Sequence, residues 1–108
     1  MSKIENGILL IYPQFEPWRM QIHLKSLVET TGVIGFVDWG NGRHTRQVLT
    51  KKSEARKLLK YILPYVDTED LLKMVEIFST SELLTSIFLD VVKKGKRFYE
   101  LDNGSDRN

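Results

Sequence analysis

Residues 32–66 read GVIGFVDWGNGRHTRQVLTKKSEARKLLKYILPYV, and this stretch decides the fold. Its first part, Val33 to Trp39, is rich in the β-branched and aromatic residues that favour strands. Asn41-Gly42 follows, and these two residues accept the positive φ angles of a two-residue hairpin turn. Arg43 to Leu49 then forms the return strand. The stretch therefore begins as an antiparallel β-hairpin.

The hairpin has two predicted faces. The expected core face carries Ile34, Phe36, Gln47 and Leu49. The opposite face carries Val33, Val37, Trp39, His44, Arg46 and Val48. With Asn41-Gly42 as the two turn residues, Trp39 is expected to face His44 across the hairpin.

A helix follows the hairpin, because apolar residues recur at i, i+3, i+4 and i+7 on one face. These residues are Ala55, Leu58, Leu59 and Ile62. Pro64 lacks an amide hydrogen and should end this helix near Leu63. Two more helices are predicted, one beginning near residue 67 and another beginning near residue 80 and ending at Lys93-Lys94-Gly95.

Trp18 to Lys25 alternates strictly between apolar and polar residues, which is typical of a strand with one buried and one solvent-facing side. The polar side consists of Arg19, Gln21, His23 and Lys25. Residues 7–12, GILLIY, predict one further strand. We therefore expect a single α+β domain over residues 1–95, with a four-stranded antiparallel sheet and three helices packed on one face, a ββαα-type arrangement. Residues 96–108 are expected to be a C-terminal segment and flexible tail.

Composition narrows the class of protein. A chain of 108 residues with 42% hydrophobic content fits one domain with a small core. The absence of cysteine excludes disulfides and thiolate metal sites. No apolar run approaches the ~20 residues of a membrane helix, and the N-terminus lacks a secretory signal pattern. We expect a cytoplasmic protein with no membrane association.

The charge is small overall but uneven along the chain. The net charge is +2, yet residues 1–65 hold ten Lys/Arg against five Asp/Glu, whereas residues 66–108 hold six against nine. Such asymmetry indicates a basic face for a polyanion, although solvated lysines on ordinary helices give similar counts.

The polar side of the 18–25 strand suggests what that polyanion is. Its four residues can all donate hydrogen bonds, and Arg and Gln are the side chains that bind guanine and adenine edges in the major groove of DNA. The other interpretation is an ordinary solvated strand face. The candidate nucleic-acid-binding residues are Arg19, Gln21, His23, Lys25, Arg43, His44, Arg46, Gln47, Lys51 and Lys52.

Catalytic and metal-binding constellations are not evident in the sequence. The two histidines, His23 and His44, have no neighbouring ligand at metal-binding spacing. Gly40-Asn41-Gly42 lacks the Lys-Ser/Thr pair of a phosphate-binding loop. The acids near residues 67–70 are expected to cap a helix rather than bind a metal. We therefore predict a non-enzymatic protein without cofactor or metal.

Residues 24–78 resemble half of a LAGLIDADG homing endonuclease. The resemblance lies in a glycine-led strand (Gly32-Val33-Ile34), a polar hairpin, and a helix that closes on Ile62-Leu63-Pro64-Tyr65, followed by another amphipathic helix. It covers about half of the chain, and its most specific part is KLLKYILPYV. The resemblance implies a sheet that sits like a saddle over duplex DNA.

One part of that family pattern is missing. The signature helix, which ends in a metal-binding acid, should precede the first strand, but only Met1-Ser2-Lys3-Ile4 lie there. The resemblance therefore implies a half-domain that keeps the DNA-facing sheet and lacks the nuclease centre.

Two functions follow as expectations. The first is a non-catalytic domain that binds double-stranded DNA through a polar, basic sheet face, and that we expect to act as a homodimer paired through the apolar stripe of the third helix. The alternative is a small phage or mobile-element protein-interaction module. It would bind and inhibit a nucleic-acid-processing enzyme through the acidic C-terminal half.

Overall fold

A computed structural model describes residues 1–29, 32–51 and 53–107, with the side chains of residues 96–107 left out of the description. The strands are β1 (Ser2–Glu5), β2 (Ile8–Ile11), β3 (Arg19–His23), β4 (Gly32–Asp38) and β5 (His44–Leu49). The helices are α1 (Leu24–Glu29), α2 (Glu54–Ile62), α3 (Thr68–Phe78) and α4 (Glu82–Arg107), and a short 3₁₀ helix (Leu63–Tyr65) follows α2. The α+β class is confirmed.

The predicted count of four strands and three helices is wrong for the described residues, which form five strands and four α-helices. The extra strand is β1, and it pairs with β2 through a tight turn at Asn6-Gly7. Both turn residues have positive φ, 53° and 76°, as an Asn-Gly hairpin turn requires. The extra helix is α1, which begins where the 18–25 strand was expected to continue.

The five strands form one antiparallel sheet in chain order, β1-β2-β3-β4-β5. One side, the inner face, packs against the helices. Its residues join those of the helices in a single apolar core, and the sheet contributes Leu9, Ile11, Met20, Ile22, Ile34, Val37 and Leu49. The opposite side, the outer face, is left open by the described elements.

A β-bulge at Ile34 changes which hairpin residues reach each face. Val33 pairs with Val48, but the next pair joins Gly35 to Gln47, so Ile34 is an extra residue in β4. Beyond the bulge, Val37 is buried on the inner face and Phe36 points to the outer face with 40% of its surface exposed. The prediction of Phe36 in the core with Val37 and Trp39 on the opposite face is therefore wrong.

The hairpin turn also differs from the predicted one. Trp39 donates its amide hydrogen to the Arg43 carbonyl at 3.0 Å, so the loop holds the three residues Gly40, Asn41 and Gly42. Both glycines adopt positive φ, 82° and 83°. Consequently His44 pairs with Asp38 rather than with Trp39.

The helices follow the sequence pattern closely, with one difference in length. α2 buries Ala55, Leu59 and Ile62, as the 3.6-residue period predicts. α4 continues past Gly95, where an end was expected. Its apolar stripe packs into the core of the same chain, with the rings of Phe88 and Phe78 at 5.3 Å. The stripe residues Leu84, Ile87, Phe88 and Val91 are therefore not free to pair with a second copy, whereas Leu83 is 53% exposed, and the homodimer stays a prediction.

Candidate nucleic-acid interface

The outer face carries two parallel rows of residues across β3, β4 and β5. In the first row Gln21 pairs with Phe36, and Phe36 pairs with Arg46. In the second row Arg19 pairs with Asp38, and Asp38 pairs with His44. Side chains that share a face in adjacent strands lie about 5 Å apart, so these rows form one continuous surface.

The structure brings together half of the candidate binding residues. Arg19, Gln21, His23, His44 and Arg46 share the outer face, where all but the half-buried His23 are exposed. The alternation along β3 places Arg19, Gln21 and His23 opposite the buried Met20 and Ile22.

The other candidate residues lie elsewhere. Lys25 belongs to α1, because β3 ends at His23, and it is not part of the sheet. Gln47 points to the inner side, because the bulge pairs it with Gly35, and it lines a groove beside α2. Arg43 lies at the hairpin loop and Lys51 just before α2, and both are exposed. The remaining candidate, Lys52, lies outside the described residues.

The acids on the outer face each have a cationic or amide neighbour. The Asp38 carboxylate lies 3.8 Å from His44 Nε2 and accepts a hydrogen bond from the Gly40 amide at 2.9 Å. Glu5 lies 3.6 Å from Lys3 Nζ. Among the described residues, neither Arg19 nor Arg46 forms an ion pair. Their guanidinium groups are thus available for an anionic ligand.

Phe36 is the outer-face residue that the sequence prediction missed. It lies between Gln21 and Arg46, so an exposed aromatic ring stands beside two side chains that donate hydrogen bonds. Gly35 was the sequence signal that could have revealed the outward position of Phe36, because a glycine inside a strand often marks a bulge. The structure explains this glycine, since a Cβ atom at position 35 would lie 2.0 Å from the Gln21 carbonyl oxygen.

The acids near the start of α3 have structural partners. The Ser2 amide donates to the Asp67 carboxylate at 3.2 Å, and the Ser2 hydroxyl donates to the Asp70 carboxylate. Asp67 is the N-cap residue but makes no side-chain capping bond. Within the described part of the chain, no group of three or more His, Cys, Asp or Glu side chains is placed to hold a metal ion.

No helix of the described residues combines the length and the apolar character needed to cross a membrane. Comparison of the chain with protein-family models, with curated proteins and with solved structures yields no match. The interpretation of the outer face therefore depends on its own geometry and chemistry.

Proposed function

We propose that this protein binds double-stranded DNA through the outer face of its sheet, without catalysis. The observation that carries the proposal is the pair of unpaired guanidinium groups, Arg19 and Arg46, on a face that no described element covers. Such a face offers hydrogen-bond donors and positive charge to a polyanion. The LAGLIDADG-like pattern in residues 24–78 implies the same sheet surface.

Base contacts are assigned to the centre of the face. Arg binds guanine O6 and N7, Gln binds adenine N6 and N7, and a Phe side chain can contact the thymine methyl group. Arg19 and Gln21 are therefore the proposed base-reading residues, together with Arg46. Phe36 adds an apolar contact between them. The β4–β5 hairpin is a two-stranded ribbon, a shape that the major groove admits.

Phosphate contacts are assigned to the rim. Arg43 at the hairpin loop and Lys51 before α2 are both exposed near the ends of β5. Lys52 and Lys25 complete the proposed set of basic residues. Such contacts position a protein on the duplex and carry no sequence information.

The test is charge reversal on each side of the sheet. Arg19→Glu and Arg46→Glu should each weaken binding to a labelled duplex, because they place an anion against the phosphate backbone. Lys60→Glu is the matched control, since Lys60 is an exposed lysine of α2 on the helical side. Equal loss of affinity in all three variants would show that only net charge matters, and the outer face would lose its role.

The alternative function, a protein-interaction module, is favoured by one separate observation. On α3, Leu72 is 68% exposed and lies between the exposed acids Glu69 and Glu76. An exposed apolar residue among acids suits a partner with a basic, partly apolar surface. Asp70 does not belong to this surface, because it is buried against Ser2. Loss of partner binding on Glu69→Lys or Glu76→Lys, with no duplex affinity, would support this function instead.

A further inference from the structure

Among the described strands β5 pairs only with β4, so it is an edge strand, and its backbone groups on the side away from β4 have no strand partner there. The hydrogen bond from the Trp39 amide to the Arg43 carbonyl shows that these two residues form a hydrogen-bonded pair at the end of the β4–β5 ladder. Hydrogen-bonded and non-hydrogen-bonded pairs alternate in an antiparallel ladder. His44 and Arg46 therefore direct their N–H and C=O groups away from β4, and they form a row that an added strand can pair with.

A groove lies beside this edge, on the inner side of the sheet between β5 and α2. Its cavity volume is about 550 Å³. On the sheet side it includes Trp39, whose indole N–H donates to the Thr45 hydroxyl at 2.7 Å. On the helix side it includes Leu58 and Tyr61, and Tyr61 is 51% exposed. The groove therefore offers partly exposed aromatic surface directly next to the open edge.

An added strand would use both features at once. Side chains alternate between the two faces of a strand, so every second residue of an added peptide would lie on the outer face beside His44 and Arg46. The residues between them would lie on the inner side, beside Thr45 and Gln47 and above the groove. Proteins that bind peptides by strand addition gain affinity from the main-chain bonds and specificity from such a groove.

The charges around the edge decide which peptide fits. The exposed cations at or near β5 are Arg43, Arg46, Lys51 and Lys57. The nearest acid of α2, Glu54, already accepts hydrogen bonds from the Thr50 amide and hydroxyl at 2.9 and 2.6 Å. A second copy of β5 would bring like charges together, which disfavours self-pairing. An acidic strand has the complementary charge.

We propose that the β5 edge binds an extended acidic peptide segment of a partner protein as a sixth strand. Acidic side chains of the segment lie beside Arg46, and an aromatic side chain enters the groove against Trp39 and Tyr61. The proposal uses the backbone of the edge and the inner groove, and it shares the β5 side chains His44 and Arg46 with the outer face. It does not depend on DNA binding, because strand addition requires no contact with a nucleic acid.

The direct test uses a synthetic peptide of alternating acidic and apolar residues, fluorescein-Glu-Val-Glu-Phe-Glu-Val-Glu-amide, and the full chain. We expect saturable binding by fluorescence anisotropy at low salt. Amide NMR shifts should concentrate on residues 44–49 and on α2. The same peptide with lysine in place of every glutamate should bind about tenfold or more weakly, because its charge is reversed.

Backbone pairing is tested from both sides. Two further peptides carry N-methyl groups, one on the glutamates and one on the Val and Phe residues. In either strand direction, parallel or antiparallel, only every second peptide residue directs its N–H group toward β5. N-methylation therefore blocks the main-chain hydrogen bonds of only one of the two peptides, which should lose binding while the other keeps it. On the protein, Arg46→Pro removes an outward N–H that β4 does not use, and binding should fall about tenfold or more.

Arg46→Ala is the control that removes the charge alone, with an expected loss of about two- to fivefold. Tyr61→Ala should weaken binding of the Phe-containing peptide and leave the binding of a peptide with Ala in place of Phe nearly unchanged. The proposal is overturned by the absence of saturable binding, by equal affinity for the two N-methylated peptides, or by NMR shifts centred on Gln21 and Phe36 instead of β5. The N-methylated peptides keep this test valid even where a protein variant misfolds.

Discussion

Phe36 of β4 lies directly opposite Gln21 of β3 on the open face of the sheet, as a cross-strand pair. The bulge at Ile34 is the cause, because it turns Phe36 outward and Val37 inward. An aromatic residue that is expected in the core thus becomes part of the proposed DNA-binding surface.

This relationship predicts how Phe36→Ala behaves. Because Phe36 is half-exposed, the variant should lose much less unfolding free energy than the about 3–5 kcal/mol that a buried Phe→Ala change costs. Its affinity for duplex DNA should fall. Phe78→Ala is the matched control, since Phe78 is fully buried and its loss should cost the full amount. The stabilities are compared by urea unfolding of both variants, and the DNA affinity by a binding titration of Phe36→Ala. If Phe36→Ala were as unstable as Phe78→Ala, the Phe36 ring would belong to the core.

The close approach of β3 and β4 predicts a second result. Gly35→Ala should destabilise the fold by about 1–3 kcal/mol, because the new Cβ meets backbone atoms of Gln21 that cannot move alone. Gly95→Ala should act in the opposite direction. It adds a methyl group where no atom lies within 4 Å, and in a helix Ala is favoured over Gly by roughly 0.5–1 kcal/mol. Opposite shifts of the urea midpoint are expected, and a neutral Gly35→Ala would contradict the observed strand spacing.

The bond between Ser2 and Asp70 predicts a third result. Ser2→Ala removes the hydroxyl that donates to the buried Asp70 carboxylate and accepts from the Asp67 amide at 2.8 Å. A buried acceptor without its donor costs about 1–3 kcal/mol. Ser2→Thr keeps the hydroxyl and is the control. Amide hydrogen exchange in β1 should be faster in Ser2→Ala than in Ser2→Thr. Equal exchange rates in the two variants would show that this hydrogen bond does not hold β1 in place.

The contact between α2 and α4 predicts a pH dependence. The hydrogen bond from the Arg56 guanidinium, with a second from Lys94, holds the pKa of Asp90 below its ordinary value of 3.8. A carboxylate with a lowered pKa stabilises the folded state above its unfolded pKa, and this contribution is lost as the pH falls through the folded pKa.

Asp90→Asn should therefore reduce stability near neutral pH, with a difference from the parent chain that shrinks once the pH falls below about 3.8. Urea unfolding from neutral pH down to below this pH measures the difference in unfolding free energy between the variant and the parent chain. Glu76→Gln, an exposed acid of α3, is the control. A difference that persists unchanged at the lowest pH would show that the ion pair is not responsible.

Much of the architecture could be predicted from local patterns. The period of α2 is decided within a few residues and appears in the structure. The alternation predicted over 18–25 holds as far as His23, and a turn forms at Asn41-Gly42, although its loop has three residues rather than two. β1 was missed although Asn6-Gly7 carries the same turn signal as Asn41-Gly42, because residues 2–5 alone have weak strand character. The end of α4 was placed too early because Gly95 does not adopt the positive φ of a helix-ending glycine, and the helix continues through it.

The candidate site was less predictable, and a single residue explains why. The side-chain period of a strand is two, so one extra residue moves every later side chain to the other face. The bulge at Ile34 did this to Phe36 and Val37, and the three-residue loop shifted the partner of His44. β3 has no bulge, and its residues Arg19, Gln21 and His23 lie where the alternation placed them.

DNA binding is tested most directly by a salt series with a fluorescent duplex. The logarithm of the affinity should fall linearly with the logarithm of the salt concentration, with a slope near −0.9 for each phosphate contact. Joint replacement of Lys51 and Lys52 by Ala should flatten that slope by about two units. Arg19→Ala or Gln21→Ala should instead cost on the order of 1–3 kcal/mol and relax the sequence preference. No measurable duplex affinity even at low ionic strength would contradict the assignment of the outer face and favour the protein-interaction function.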